Sequence, residues 1–162
     1  MDKQNIMMNE WFECKVKYEK TLENGLVKKV TEPYLVDALS FTEAERRFIE
    51  EITPFMSGEF QVTDIKRAKY AELFETTEDA ADKWFKAKVA FITLDEKSGA
   101  EKKSNQNMLI QASDLRDAVR RLDKGMEGTM ADYEIASIAE TPLMDVFHYK
   151  AEIAEKPEFP EA

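Results

Sequence analysis

Two tryptophans set among lysines are the residues whose types and spacing point to chemistry. Trp11 precedes Lys15 and Lys17, and Lys28-Lys29 follow beyond a turn. Trp84 precedes Lys86 and Lys88, and Lys102-Lys103 follow beyond a second turn. Rings that stack bases, beside cations that track phosphates, make a sequence-tolerant surface for single-stranded nucleic acid. The expected nucleic-acid-binding residues are therefore Trp11, Lys15, Lys17, Lys28, Lys29, Trp84, Lys86, Lys88, Lys102 and Lys103. Other arrangements fit the same residues. Lysines on strand faces and edges are common solubility devices, with the tryptophans packed as core under a loop or linker. Tryptophan is also an anchor of protein interfaces.

Catalytic chemistry is poorly provided for. His148 is the only histidine and Cys14 the only cysteine. Nucleophilic catalysis needs a base close to a Ser or Cys. Cys14 falls at an inward strand position, where a thiol behaves as a small hydrophobe. His148 follows the last strand and reads as a solvated histidine. No GxSxG, GxGxxG or P-loop is present. One histidine cannot make HExxH, and one cysteine excludes an intrachain disulfide and a CxxC metal site. An all-carboxylate Mg²⁺ site stays open. Its candidate is Asp37, in an apolar strand, against the plainer reading of a polar residue on an open face. The expectation is a non-catalytic binding protein with no metal and no cofactor.

The elements that must position these residues come in duplicate. Trp11-Phe12 recurs as Trp84-Phe85, Lys15-Val16 as Lys88-Val89, and Leu35 to Ala38 as Leu109 to Ala112. Ala44, Arg46 and Arg47 recur as Ala118, Arg120 and Arg121, Phe60 as Tyr133, and Phe74 as Phe147. The repeats span 11–74 and 84–147, joined by an acidic linker, 75–83. They belong to one domain, 1–150, followed by an acidic flexible tail, 151–162. Phe12, Cys14, Val16 and Tyr18 alternate with polar residues, as do Phe85, Ala87, Val89 and Phe91, the period of a half-buried strand. Asn24-Gly25 and Lys97-Ser98-Gly99 mark turns. Pro33 predicts an edge, bulge or break, leaving Tyr34 to Ala38 as a short strand matched by Met108 to Ala112.

Ser40 with Glu43 forms a capping box, and Asp114 takes the same position in the second repeat. The first helix presents Phe41, Ala44, Phe48, Ile49 and Ile52 on one face. The second presents Leu115, Ala118, Val119, Leu122 and Met126, with Gly125 as a C-terminal cap. Glu59 to Phe74 reads as one long strand, with a β-bulge near Thr63-Asp64 where the apolar phase slips. Tyr133, Ile135 and Ile138 slip in the same way. The linker segment Glu75 to Asp82 is expected to form a short helix capped by Thr76 or Thr77. The fold class is α+β: two tandem β-β-α-β-type repeats forming a pseudo-two-fold, with mostly antiparallel sheet and one main helix per repeat.

The 162 residues suffice for a core, and the apolar content is ordinary for a soluble protein. No apolar run is long enough to span a membrane, and a cytoplasmic location is the default. The net charge of −10 weighs against a surface that binds nucleic acid everywhere, though not against one basic face. The acidic tail fits either a disordered end or a segment that recruits a protein partner and competes for the basic surface. The alternative function is a protein-interaction or regulatory module.

The segments NEWFECKVKYEK, YLVDALSFTEAE and EFQVTDIKRAKYAELF resemble a family of small bacterial and bacteriophage proteins, a domain of unknown function. The similarity covers roughly residues 9–149 and carries no activity or site residues with it. Occurrence in phage genomes implies a setting of DNA replication or host interaction. The sheet-plus-helix plan is loosely similar to the PUR nucleic-acid repeat, with a different strand order.

Overall fold

Strand alternation and turn chemistry set the elements. The computed structural model describes residues 10–148. In chain order the elements are β1 (Glu10–Thr21), β2 (Val27–Ala38), α1 (Phe41–Ile52), β3 (Phe60–Ala68), β4 (Glu72–Phe74), β5 (Lys83–Leu94), β6 (Glu101–Ala112), α2 (Leu115–Gly125), β7 (Asp132–Glu140) and β8 (Val146–Phe147). A 3₁₀ turn, Thr53–Phe55, ends α1 at Pro54. The hairpin turns hold Gly25 and Gly99 at φ of 87° and 73°, a left-handed conformation that costs glycine little.

The chain divides into two units. One runs to Ala68 and resumes at Asp145; the other spans Lys69–Met144. The first unit is a four-stranded sheet in the order β3-β1-β2-β8, and the second a four-stranded sheet in the order β4-β6-β5-β7. In each, a central strand has antiparallel neighbours on both sides, and a short parallel strand closes one edge. This is the expected α+β architecture, with one helix in each repeat-like half.

In the first unit, Phe12, Cys14 and Val16 of β1 pack with Val36 and Ala38 of β2 against Ala44, Phe48 and Ile52 of α1. In the second, Phe85, Ala87 and Val89 pack with Met108, Ile110 and Ala112 against Ala118, Leu122 and Met126. Ser40 Oγ accepts from the Glu43 N–H at 3.1 Å, and Asp114 Oδ1 from that of Asp117 at 2.8 Å. The reciprocal bonds come from one residue earlier than a standard box: the N–H groups of Leu39 and Ser113 donate to Glu43 and Asp117. Phe41, Ile49 and Leu115, expected inward, stay largely exposed at the margins of the helical stripes. The expected bulges are present. Register slips opposite Lys15/Val16, leaving Thr63 extra, and opposite Lys88/Val89, leaving Ala136 extra.

Several expectations are corrected. Glu59 to Phe74 is two strands, not one. β3 ends at Ala68, which faces Trp11. The chain then supplies β4 to the second unit, where Glu72–Phe74 lies parallel to Met108–Ile110. After β7 the same happens in reverse, and β8 lies parallel to Leu35 and Val36 in the first unit. Of the edge, bulge or break expected at Pro33, the edge is what is found, and β2 runs through it as a single 12-residue strand. The Leu35 N–H donates to Asp145 on the β8 side, and amide directions repeat every second residue. The Pro33 nitrogen therefore faces the same side, beyond the reach of β8, where no ladder bond is lost. The linker holds a turn at Asp79-Ala80 instead of a helix. It is pinned by Gln111, which accepts from the Thr76 N–H at 3.0 Å and donates to Ala81 O at 3.0 Å.

Gly125 is the last helical residue of α2 and not a left-handed cap. A Cβ there would stand 2.5 Å from the Phe74 ring of β4. Gly125→Ala should therefore destabilise the protein by about 1–3 kcal/mol through overpacking, although alanine favours helix by about 1 kcal/mol. Adding Phe74→Leu should restore part of the loss. Urea denaturation of the single and double variants checks this, and a neutral or stabilising single variant would refute the packing role.

Candidate nucleic-acid interface

Strand parity decides which lysines share a surface. On β1, Trp11, Glu13, Lys15, Lys17 and Glu19 face away from α1, opposite Asp37, Leu35, Pro33, Thr31 and Lys29 of β2. On β5, Trp84, Lys86, Lys88 and Ala90 do the same, opposite Gln111, Leu109, Asn107 and Asn105, with Lys103 beyond. Eight of the ten expected residues thus have the outward parity. Lys28 and Lys102 do not: they pair with Lys20 and Thr93 on the helix-side parity.

Exposure thins the set further. Trp84 is 4% exposed. Its carbonyl accepts from the Thr141 N–H at 2.8 Å and the Thr141 hydroxyl at 3.0 Å. A ring so buried presents no face to a base. Trp11 is half-buried, with exposed His148 edge-on at 5.3 Å between ring centroids. Lys103 is held 2.8 Å from Glu134, and that partner raises its pKa. Lys17, Lys29, Lys86 and Lys88 remain exposed, and Lys15 half-buried.

Their neighbours differ between units. In the first, Glu13 faces Lys66, Lys15 faces Asp64 and Glu19 faces Lys29, so charge alternates across the sheet. Lys17 is the exception, between Thr31 and Gln61. In the second, Lys86 lies between Leu109 and Ala139, and Lys88 between Asn107 and Ser137. Neither touches an acid among the described residues. The amides Asn105, Asn107 and Gln61 and the hydroxyl of Ser137 were missed in the sequence. Matching Gln61 to Glu134 between repeats would have exposed the difference.

Titratable groups elsewhere serve the framework. Arg47, buried on α1, holds the Asp37 carboxylate at 3.2 Å and donates to the Asp37 carbonyl, so Asp37 is an ion-pair partner inside the fold. Among the described residues no group of three His, Cys, Asp or Glu side chains gathers as metal ligands would. Tyr18 donates to the buried Glu32 at 2.8 Å, and burial followed by that bond pushes its pKa up to about 12. No helix among the described residues is long and apolar enough to cross a membrane.

Burial pushes the Cys14 thiol up to about 12, so little thiolate forms at neutral pH. A thiol reagent should label native protein no faster than the core opens, and at once in denaturant. Fast native labelling would place the thiol in solvent. Asp117 is drawn down to about 2, first by its bond from Arg121 at 2.8 Å and then by the Ser113 N–H. A depressed carboxylate stabilises the fold above its unfolded pKa of about 3.9. That contribution is complete at neutral pH and fades as pH falls from about 4 toward 2. Asp117→Asn should cost roughly 1.5–3 kcal/mol at pH 7 and flatten this acid limb, read by denaturation at several pH values.

No curated protein matches the chain. A family model spans residues 10–149, every described strand and helix included, and on that match the chain belongs to the family described as Domain of unknown function (DUF4494).

Proposed function

We propose that the protein is a non-catalytic, cytoplasmic binding protein for single-stranded nucleic acid in a phage or mobile-element replication setting. The lysines of β5 are its main backbone contact. One observation carries the reading: Lys86 and Lys88 are exposed side by side with only uncharged cross-strand neighbours. Asn105, Asn107 and Ser137 share that face, and amides and hydroxyls are ordinary phosphate ligands. The burial of Trp84 moves the reading from stacking toward electrostatics. Such contact positions a strand and carries little sequence preference. The acidic segment 151–162, outside the described residues, enters the proposal as a competitor for the lysines and a recruiter of a protein partner.

Fluorescence anisotropy with a labelled single-stranded oligonucleotide, and duplex as control, tests this. Log affinity should fall with log salt by about 0.7 for each phosphate neutralised. Lys86→Ala with Lys88→Ala should lower that slope by roughly 1.4. Removing 151–162 should tighten binding. No binding at micromolar protein in low salt would end the proposal.

A protein-interaction role is the second reading, favoured by large apolar side chains left in solvent in the first unit. Leu26 is 63% exposed and Phe55 70%. Light scattering over a range of concentrations and a pull-down from host lysate discriminate the two. A strictly monomeric protein that retains no partner counts against the second.

A further inference from the structure

A groove of about 660 Å³ opens in the first unit where β3 starts beside the β1–β2 hairpin. Its cause is local. Pairing between β1 and β3 stops at Tyr18↔Phe60, so Glu19 to Thr21 have no strand neighbour on that side. Ser57, Gly58 and Glu59 wall the gap. The volume lies within the range of about 300–1,000 Å³ typical of small-molecule sites.

The second repeat is an internal control. Lys17, Lys29 and Gln61 correspond to Ala90, Lys103 and Glu134. In the second unit Lys103 and Glu134 close into an ion pair at 2.8 Å, and no lysine stands at position 90. In the first unit Gln61 brings an amide in place of the carboxylate. Neither Lys17 nor Lys29 has an ion pair among the described residues. Lys17 faces Gln61 directly. Lys29 is its diagonal neighbour across β2, a separation of about 7–8 Å that lets two ammonium groups close on one phosphate. The groove is not simply basic, because Glu19 and Glu59 also line it. A bare anion meets those carboxylates as repulsion. A ligand that is anionic at one end and a hydrogen-bond donor at the other satisfies both sets. Val27, on the same parity as Lys17 and Lys29, supplies apolar wall.

We infer that this groove is a mononucleotide site, with phosphate on Lys17, Lys29 and the Gln61 amide, ribose hydroxyls or a base amino group toward Glu19 and Glu59, and the base against Val27. It deepens the nucleic-acid reading and rests on it only where the nucleotide belongs to a strand. A free nucleotide offers the same chemistry.

The test is a ¹H–¹⁵N titration of the full chain with AMP, adenosine, inorganic phosphate and a 5′-phosphorylated oligonucleotide. AMP should shift resonances at residues 17, 29 and 57–61. Adenosine and phosphate should each bind at least about tenfold more weakly, because each lacks half of the contacts. Gln61→Glu should abolish AMP binding at unchanged thermal midpoint by reproducing the ion pair of the second unit. Lys17→Ala should weaken it and serves as the readout if that variant fails to fold. Conversely, Ala90→Lys with Glu134→Gln should create a second site. Absent AMP shifts at millimolar concentration, or shifts indifferent to both first-unit variants, overturn the inference. An oligonucleotide that moves the same resonances assigns the strand as source; AMP binding without it assigns the free nucleotide. Oligonucleotide binding without AMP binding sinks the groove alone. AMP binding with no oligonucleotide binding anywhere sinks the strand-binding function and leaves the groove standing.

Discussion

Each unit hangs on one strand bonded along both flanks. β1 is flanked by β2 and β3, and β5 by β6 and β7. Backbone donors and acceptors of a buried strand must find partners, and the strands on both flanks supply them. Pairing of β3 with β1 ends at Ala68, and from there the chain passes into the other unit to add β4. Phe74 then enters the second core against Gly125, while Phe147 stacks on Tyr34 in the first at 5.5 Å.

Onto this shared frame the two copies have written different electrostatics. The position that is Asp37 in one copy, paired with Arg47, is Gln111 in the other, where an amide can hold the linker backbone from both sides. Arg121 instead joins Asp117 to Glu78 of the linker. The outer faces diverge as well. Opposed charges face each other across one, and Lys86 and Lys88 of the other have only uncharged cross-strand neighbours. The helix-side faces, where apolar side chains pack, have changed least: Phe12 and Phe85, Val16 and Val89, Ala44 and Ala118 occupy equivalent places.

Much of the fold was legible because its signals are local. Alternation in β1 and β5, turn glycines, caps at Ser40 and Asp114, and the phase slips that mark both bulges each depend on a few adjacent residues. What was not legible depends on distant ones. The break between β3 and β4 reflects partners in two different sheets, which alternation within 59–74 cannot register. Pro33 is harmless only because β8 is short. Gly125 resembles a cap from its place after a helical stripe, and only the ring of Phe74 explains it. For the candidate site only strand parity was legible. Parity correctly placed most of the lysines, but Trp11 and Trp84 look equivalent in the sequence and differ in burial. Acid neighbours such as Asp64 and Glu134 lie on strands whose register the bulges reset.

The exchange of short strands also bears on synthesis from the ribosome. A chain made from its N-terminus lays down β1, β2, α1 and β3 early, yet the edge of β2 at Leu35 and Val36 waits for Val146 and Phe147. The second unit, begun later, already has β4 upstream when β6 emerges. The half that is translated first is thus completed last, and through most of elongation it presents Tyr34 and the β2 backbone without the strand that covers them.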